Sequence, residues 1–143
     1  MYRNILVIDD NPDIRFLICS ILKEKNFNVR SAANYDQAVL EINAKLPDLA
    51  IVDIKLDKTD KDGIDLLKLI ISKNKFTPVI MISGHATVQV AVEAIRLGAY
   101  EFIEKPFSTE KILNYVKRAL ENASLKREKD IIENKLFHSF ELI

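Results

Sequence analysis

Asp9 and Asp10 follow the apolar run NILVI, Asp53 follows LAIV, Ser83 follows VIMI, and Lys105 follows YEFIE. Each chemically active side chain therefore stands at the end of a short stretch of strand-forming residues. If the runs are parallel strands, one edge gathers three carboxylates, a hydroxyl and an ammonium, the equipment for taking up a phosphoryl group on an aspartate. Carboxylate nucleophiles form aspartyl phosphates. The charge that develops on the three equatorial oxygens of the transferring group is met by cations and hydrogen-bond donors. Three carboxylates brought close repel, and one is pushed toward protonation unless a cation is present. Mg²⁺ suits such a set, because it takes oxygen ligands, keeps several waters and pairs one or two carboxylates with phosphate oxygens. Asp10 and Asp53 are expected as direct ligands, with Asp9 acting mostly through water and the backbone carbonyl near Lys55 completing the set.

Positioning these groups falls to an alternation of strands and helices. Ile5 to Ile8 is a continuous apolar run, and Asn11-Pro12-Asp13 opens a segment with Ile14, Leu17, Ile18, Ile21 and Leu22 at helical spacing. The alternation repeats: a strand over 28–32 and a helix over 35–44, a strand over 49–52 and a helix over 63–72, a strand over 78–82 and a helix over 87–97. A fifth strand over 101–103 precedes a helix from about Thr109. Five βα units in sequence imply a parallel sheet covered by helices on both faces. The doubly wound order 2-1-3-4-5 suits this size and brings the polar strand ends together at the carboxyl edge, where such folds bind ligands. Asp53 is the expected nucleophile, because the third strand is central in that order.

A chain of 143 residues with 48% apolar content is one domain's worth and long enough to bury a core. Lysine plus arginine equals aspartate plus glutamate at 21 each, so no global field draws the chain to nucleic acid or anionic lipid. Cys19, the single cysteine, sits among apolar residues and reads as a small buried hydrophobe. The N-terminus lacks a long apolar segment and no run approaches the roughly 18 residues of a membrane span, so a cytoplasmic protein is expected. After Leu120 the composition turns polar, with Leu125, Ile131, Ile132, Leu136, Phe137 and Phe140 interspersed; no proline or glycine breaks the stretch after Phe107, so it can prolong the last helix. Its heptad pattern is irregular.

Each site residue also has a plain structural reading. The aspartate pair can cap a helix, Asp53 can serve a turn, Ser83-Gly84 is an ordinary strand-to-helix turn, and Lys105-Pro106 can be an exposed lysine before a proline. Their joint arrangement on four strand ends, in one order, argues against coincidence. His85 and His138 belong to no His/Cys cluster of metal-binding spacing. No G-x-G-x-x-G, G-x-x-x-x-G-K-[ST] or G-x-S-x-G occurs, which removes the main support for a nucleotide-binding or serine-hydrolase reading of an α/β sheet.

At these residues the chain resembles the response-regulator receiver domain of bacterial two-component systems, across about residues 3–122. The matching features are VIDD with Asp9 and Asp10, IVDI with Asp53, MISGHA with Ser83, and FIEKPF with Lys105. The resemblance implies a (βα)5 flavodoxin-like fold and a phosphoacceptor regulatory domain rather than an enzyme, with weak self-phosphorylation and autodephosphorylation chemistry. It makes Asp53 the phosphoacceptor and Asp9 and Asp10 the Mg²⁺ holders. Ser83, Gly84 and Lys105 become readers of the phosphoryl group, Phe102 the switch aromatic, and Lys55 and His85 the residues that tune hydrolysis. Phe102 also reads as a plain core aromatic, and Lys55 and His85 as solvated surface.

One departure is informative. Most receivers place a glycine eight residues after the phosphoacceptor and a proline at the fourth; here Asp57 holds the proline's place and Gly63 comes ten residues on, so DKTDKDG is a longer, charged loop. With the RALENASLKRE segment and the closing FELI, this is similar to the NtrX group within the NtrC class of nitrogen regulators. The similarity implies a receiver over 1–122 and a linker over 123–143 leading to an AAA+ output module, with DNA reached only through a further C-terminal domain. The implied partners are a sensor histidine kinase and a second copy through the fourth helix, fifth strand and fifth helix, where Thr87, Val88, Val92, Ile95, Arg96, Tyr100 and Glu104 lie. Two other uses fit less well. A stand-alone receiver has no need of the residues after Leu120, and an aspartyl-phosphate hydrolase needs an aspartate where this chain has Lys55.

Overall fold

A computed structural model describes residues 3–56 and 62–141, the last five of these as backbone. Asp57 and nearly all of the charged loop after it lie outside the described residues, as do the side chains of the FELI ending. The elements run β1 (Asn4–Ile8), α1 (Pro12–Glu24), β2 (Asn28–Ala32), α2 (Tyr35–Ala44), β3 (Leu49–Asp53), α3 (Gly63–Lys73), β4 (Val79–Ser83), α4 (Val88–Arg96), β5 (Glu101–Glu104) and α5 (Thr109–Glu141). The five strands form one parallel sheet in the order β2-β1-β3-β4-β5. The expected alternation and strand order are those observed, with element ends shifted by about a residue.

The apolar runs of β1, β3 and β4 are continuous because both sheet faces are covered. Successive side chains point to opposite faces. Leu6, Ile8, Ala50, Val52, Val79 and Met81 join a core with α2, α3 and α4. Ile5, Val7, Leu49, Ile51, Ile80, Ile82 and Ile103 join a second core with α1 and α5. All of these side chains are fully buried, and each Val, Leu, Ile and Met among them contributes about 1.5–3 kcal/mol relative to exposure.

Local chemistry sets the entry to each helix near the functional edge. Asn11, not either aspartate, caps α1: its side chain accepts from the Asp13 and Ile14 amides, and Pro12 takes the first helical position. Asp62 and Asp65 form a reciprocal capping box at the start of α3. Thr87 caps α4, which closes through Gly98 at φ 115°, a conformation that suits only glycine. The last helix runs unbroken through 33 residues. Within it Ala123 is the last buried residue among those described, so the polar change after Leu120 marks where the helix leaves the core.

Candidate functional site

β1 and β3 are neighbours, yet the chain leaves β1 toward β2 on one side and returns to β3 on the other, which opens a crevice at their carboxyl ends. Asp9 and Asp53 sit in it, both buried. By strand alternation Asp9, Asp53 and Lys105 continue the series of residues that faces α1 and α5, whereas Ser83 continues the series that faces α4. The contacts follow that division. Lys105 Nζ lies 2.9 Å from Asp9 Oδ2 and 3.1 Å from Asp53 Oδ2. Its backbone N–H donates to the Ser83 carbonyl at 2.8 Å, so the end of β4 places the lysine that serves β1 and β3.

Each carboxylate is partly held by its own turn. Asp9 Oδ1 accepts from the Asn11 amide at 2.9 Å, and Asp53 Oδ1 accepts from the Lys55 amide at 3.2 Å. Asp9 Oδ2 is fully buried and accepts no aligned hydrogen bond; the lysine meets it as a close ion pair only. Carboxylate oxygens of Asp9, Asp10 and Asp53 all lie within 4.8 Å of one another, and this is the one such group of potential metal ligands among the described residues.

The electrostatics follow from crowding. Burial, and then the neighbouring Asp9 charge, raise the Asp53 carboxyl from 3.8 to about 6, against the opposing pull of Lys105 and of the Lys55 amide. Burial works against the Lys105 ammonium, but Asp9 and Asp53 outweigh it and raise its pKa above the ordinary lysine value. Asp9 and Asp53 thus share the Lys105 ammonium, Asp10 brings a third carboxylate to the group, and one buried oxygen lacks a hydrogen bond. This all-oxygen set, with a buried carboxylate oxygen that accepts no hydrogen bond, fits a hard divalent cation such as Mg²⁺.

The remaining expected residues lie around this centre at different distances from its chemistry. Ser83 is buried, and its Oγ accepts from the His85 amide at 3.2 Å. Gly84 is exposed beside Lys105: a Cβ built there would be 3.9 Å from the lysine Cδ. Lys55 and His85 are exposed at the mouth of a cavity of about 490 Å³, which Ser83 and Thr87 also line. Phe102 is half-buried against the core under α4, and its register partner is Met81, two residues before Ser83 on the same face. Lys105 is only 18% exposed at its side chain, which rules out the reading of a surface lysine before a proline.

Two contributors are not apparent from spacing. Gly63 lets the first turn of α3 press on the Asp53 backbone: its N–H donates to the Ile54 carbonyl at 2.8 Å, and a Cβ there would collide with the Asp53 carbonyl oxygen. Arg15 Nη1 donates to the Asp9 carbonyl at 2.7 Å. The only hint of this in the chain is an arginine placed to point back over the first turn of α1.

Known proteins resemble this chain in sequence and fold. The family described as response regulator receiver domain matches residues 5–117. The nitrogen assimilation regulatory protein NtrX of Azorhizobium caulinodans is 43% identical over 128 residues, 90% of this chain and 28% of that protein. The crystal structure of NtrX from Brucella abortus superposes with a TM-score of 0.85 at 43% identity, over 92% of this chain and 30% of that one. The beryllofluoride-activated NtrC4 receiver domain dimer superposes at 0.77 and 34% identity, over 84% of this chain and 98% of that one. The chain therefore spans about 30% of the length of the NtrX proteins it resembles. With the sheet order, the acidic crevice and this match over most of its length, the chain belongs to the response regulator receiver domain family.

Proposed function

We propose that this chain accepts a phosphoryl group on Asp53 from a sensor histidine kinase in a Mg²⁺-dependent reaction, and so switches the output or assembly of an NtrX-like transcriptional regulator in the cytoplasm. The observation that carries the proposal is the Asp53 carboxylate, buried on the central strand with Lys105 Nζ at 3.1 Å and two more carboxylates within 4.8 Å. An Asp53 oxygen attacks phosphorus; the new O–P bond forms as the bond from phosphorus to the donor nitrogen or oxygen breaks, and the electron pair leaves with the donor.

Asp9, Asp10, Asp53 and the Lys55 carbonyl would hold Mg²⁺, which when bound neutralises charge on the phosphoryl oxygens. Lys105 favours the ionised, nucleophilic form of Asp53 against the burial that opposes it, and its ammonium then turns to a phosphoryl oxygen. The Ser83 hydroxyl and the Gly84 N–H read another oxygen. Ser83 leaves its contact with the His85 amide to do so, and Phe102, lower on the same sheet face, moves into the space released. Lys55 and His85, exposed at the mouth, tune the approach of hydrolytic water.

Phosphorylation adds a charge of about −1.5 to −2, which biases a two-state equilibrium of α4, β5 and α5. Val88, Val92 and Ile95 leave an apolar face on α4, 80%, 50% and 45% exposed, in support of a second copy docking there. The NtrC4 neighbour is described as a dimer when activated by beryllofluoride. Residues 1–122 act as the receiver and 123–143 as the linker to the output module.

The test is intact mass after incubation with acetyl phosphate, with and without Mg²⁺, for the wild type and Asp53→Asn. The expected result is a Mg²⁺-dependent gain of one phosphoryl group in the wild type and none in the variant. An equal gain in the variant moves the acceptor elsewhere, and no gain in folded, Mg²⁺-bound wild type, even with a histidine kinase as donor, removes the phosphoacceptor function.

A further inference from the structure

We propose that Arg15 is a positioning residue for the cation site, holding the Asp9 carbonyl and with it the backbone from which Asp10 reaches the group formed with Asp9 and Asp53. This inference rests on the reading that Asp9, Asp10 and Asp53 hold Mg²⁺.

The β1 ladder ends just before the site. Its last register pairs join Ile8 to Ala32 and to Val52, and the Asp9 N–H still donates to the Ala32 carbonyl at 3.2 Å. No further register pair reaches Asp10. The Asp9 carbonyl and the Asp10 nitrogen and Cα share one rigid peptide plane, so whatever fixes that carbonyl fixes the position of the Cα that carries the Asp10 side chain. The Arg15 guanidinium does so through a charge-assisted bond of 2.7 Å.

The arginine is itself anchored, because its N–H donates to the Asn11 carbonyl at 3.0 Å within α1 and its side chain is half-buried. Asn11 closes the circuit: its N–H donates to Asp9 Oδ1, and its side chain caps the helix that carries Arg15. The two ligand-bearing residues are thus braced from β1, from the cap and from Arg15.

Charge and geometry oppose one another here. A guanidinium beside the crevice repels a divalent cation, so if charge dominated, removing it would tighten Mg²⁺ binding. If positioning dominates, removing it weakens binding, as loss of a residue that orients metal ligands does, by roughly 10-fold or more.

Mg²⁺ titration calorimetry on the full chain, as wild type, Arg15→Met, Arg15→Lys and Lys23→Met, separates these. Arg15→Met is expected to raise the Mg²⁺ Kd about 10-fold. Arg15→Lys, which keeps the charge but not the fork, should fall between it and the wild type. Lys23→Met, a charge loss at the far end of the same helix, should match the wild type.

Hydrogen exchange supplies a readout without metal: the Asn11 amide, bonded to Asp9 Oδ1, should exchange faster in Arg15→Met while the melting temperature changes little. Arg15→Met binding Mg²⁺ as tightly as the wild type, or more tightly, overturns the positioning role, as does unchanged Asn11 exchange. Should Arg15→Met fail to fold, Arg15→Lys carries both tests. Wild type that binds no Mg²⁺ rejects the cation site itself, a failure distinct from that of Arg15.

Discussion

Asp53 is ionised at a cost, because burial and Asp9 both favour its neutral form. Its pKa in the fold, about 6, lies above the 3.8 of an ordinary aspartate, so the folded state binds the proton more tightly than the unfolded state. Without metal, the Asp53 contribution to stability is therefore most favourable below pH ~4 and falls as pH rises through about 6, by a total on the order of 3 kcal/mol. Asp53→Asn keeps an acceptor for the Lys55 amide and removes this titration. Thermal unfolding in chelator should then show the variant gaining on the wild type between pH 4 and 7, and Mg²⁺ at pH 7 should narrow the gap. Parallel pH profiles would show that Lys105 already neutralises Asp53 fully. Cys19 has its pKa raised by burial, which keeps it a thiol and consistent with a packing role alone.

At the scale of elements, the start of α3 is held directly against the end of β3. Gly63 comes ten residues after Asp53, its amide bonds the Ile54 carbonyl, and its Cα lies close against the Asp53 backbone. Gly63→Ala forces backbone against backbone and should cost roughly 2–4 kcal/mol in urea unfolding. Gly84→Ala, whose new methyl would find only ordinary contact with Lys105, should change stability by about 0.5 kcal/mol or less. Equal costs at the two positions would mean that α3 can back away from Asp53 freely.

Much of this level was legible in advance. Apolar runs ending abruptly in Asp, Ser or Lys located four of the five strand ends on the functional edge, all but that of β2, and five βα repeats left few sheet orders to choose between. Asn11 was less visible, since two aspartates beside it are equally good caps by residue type, and only the path of the chain decided among them. The engagement of Ser83 with its own turn and the reach of Arg15 to a carbonyl depend on side-chain trajectories across a turn, which hydrophobic periodicity does not encode.

Over the whole molecule, α5 has two halves with different physics. Up to Ala123 it is pinned by Ile112, Val116, Ala119 and Leu120 against the sheet. Beyond Ala123, Leu125, Ile131, Ile132 and Leu136 are each more than half exposed, and an ion pair of 3.9 Å between Lys129 and Glu133 is a surface contact of small worth. A chain ending at Ser124 should therefore unfold cooperatively with a stability within about 1 kcal/mol of the full chain, while losing helical ellipticity. Loss of the cooperative transition would show that the tail folds back to support the core.

Because the helix crosses from the core into solvent without a break, it is also a lever arm. Its base packs on β3 and α1, and at about 1.5 Å per residue it carries its far end about 27 Å beyond Ala123. A tilt of about 10° at the base sweeps that end through about 5 Å, so a rotation of the core-bound half is read out at the far end as a displacement large enough to make or break contacts there.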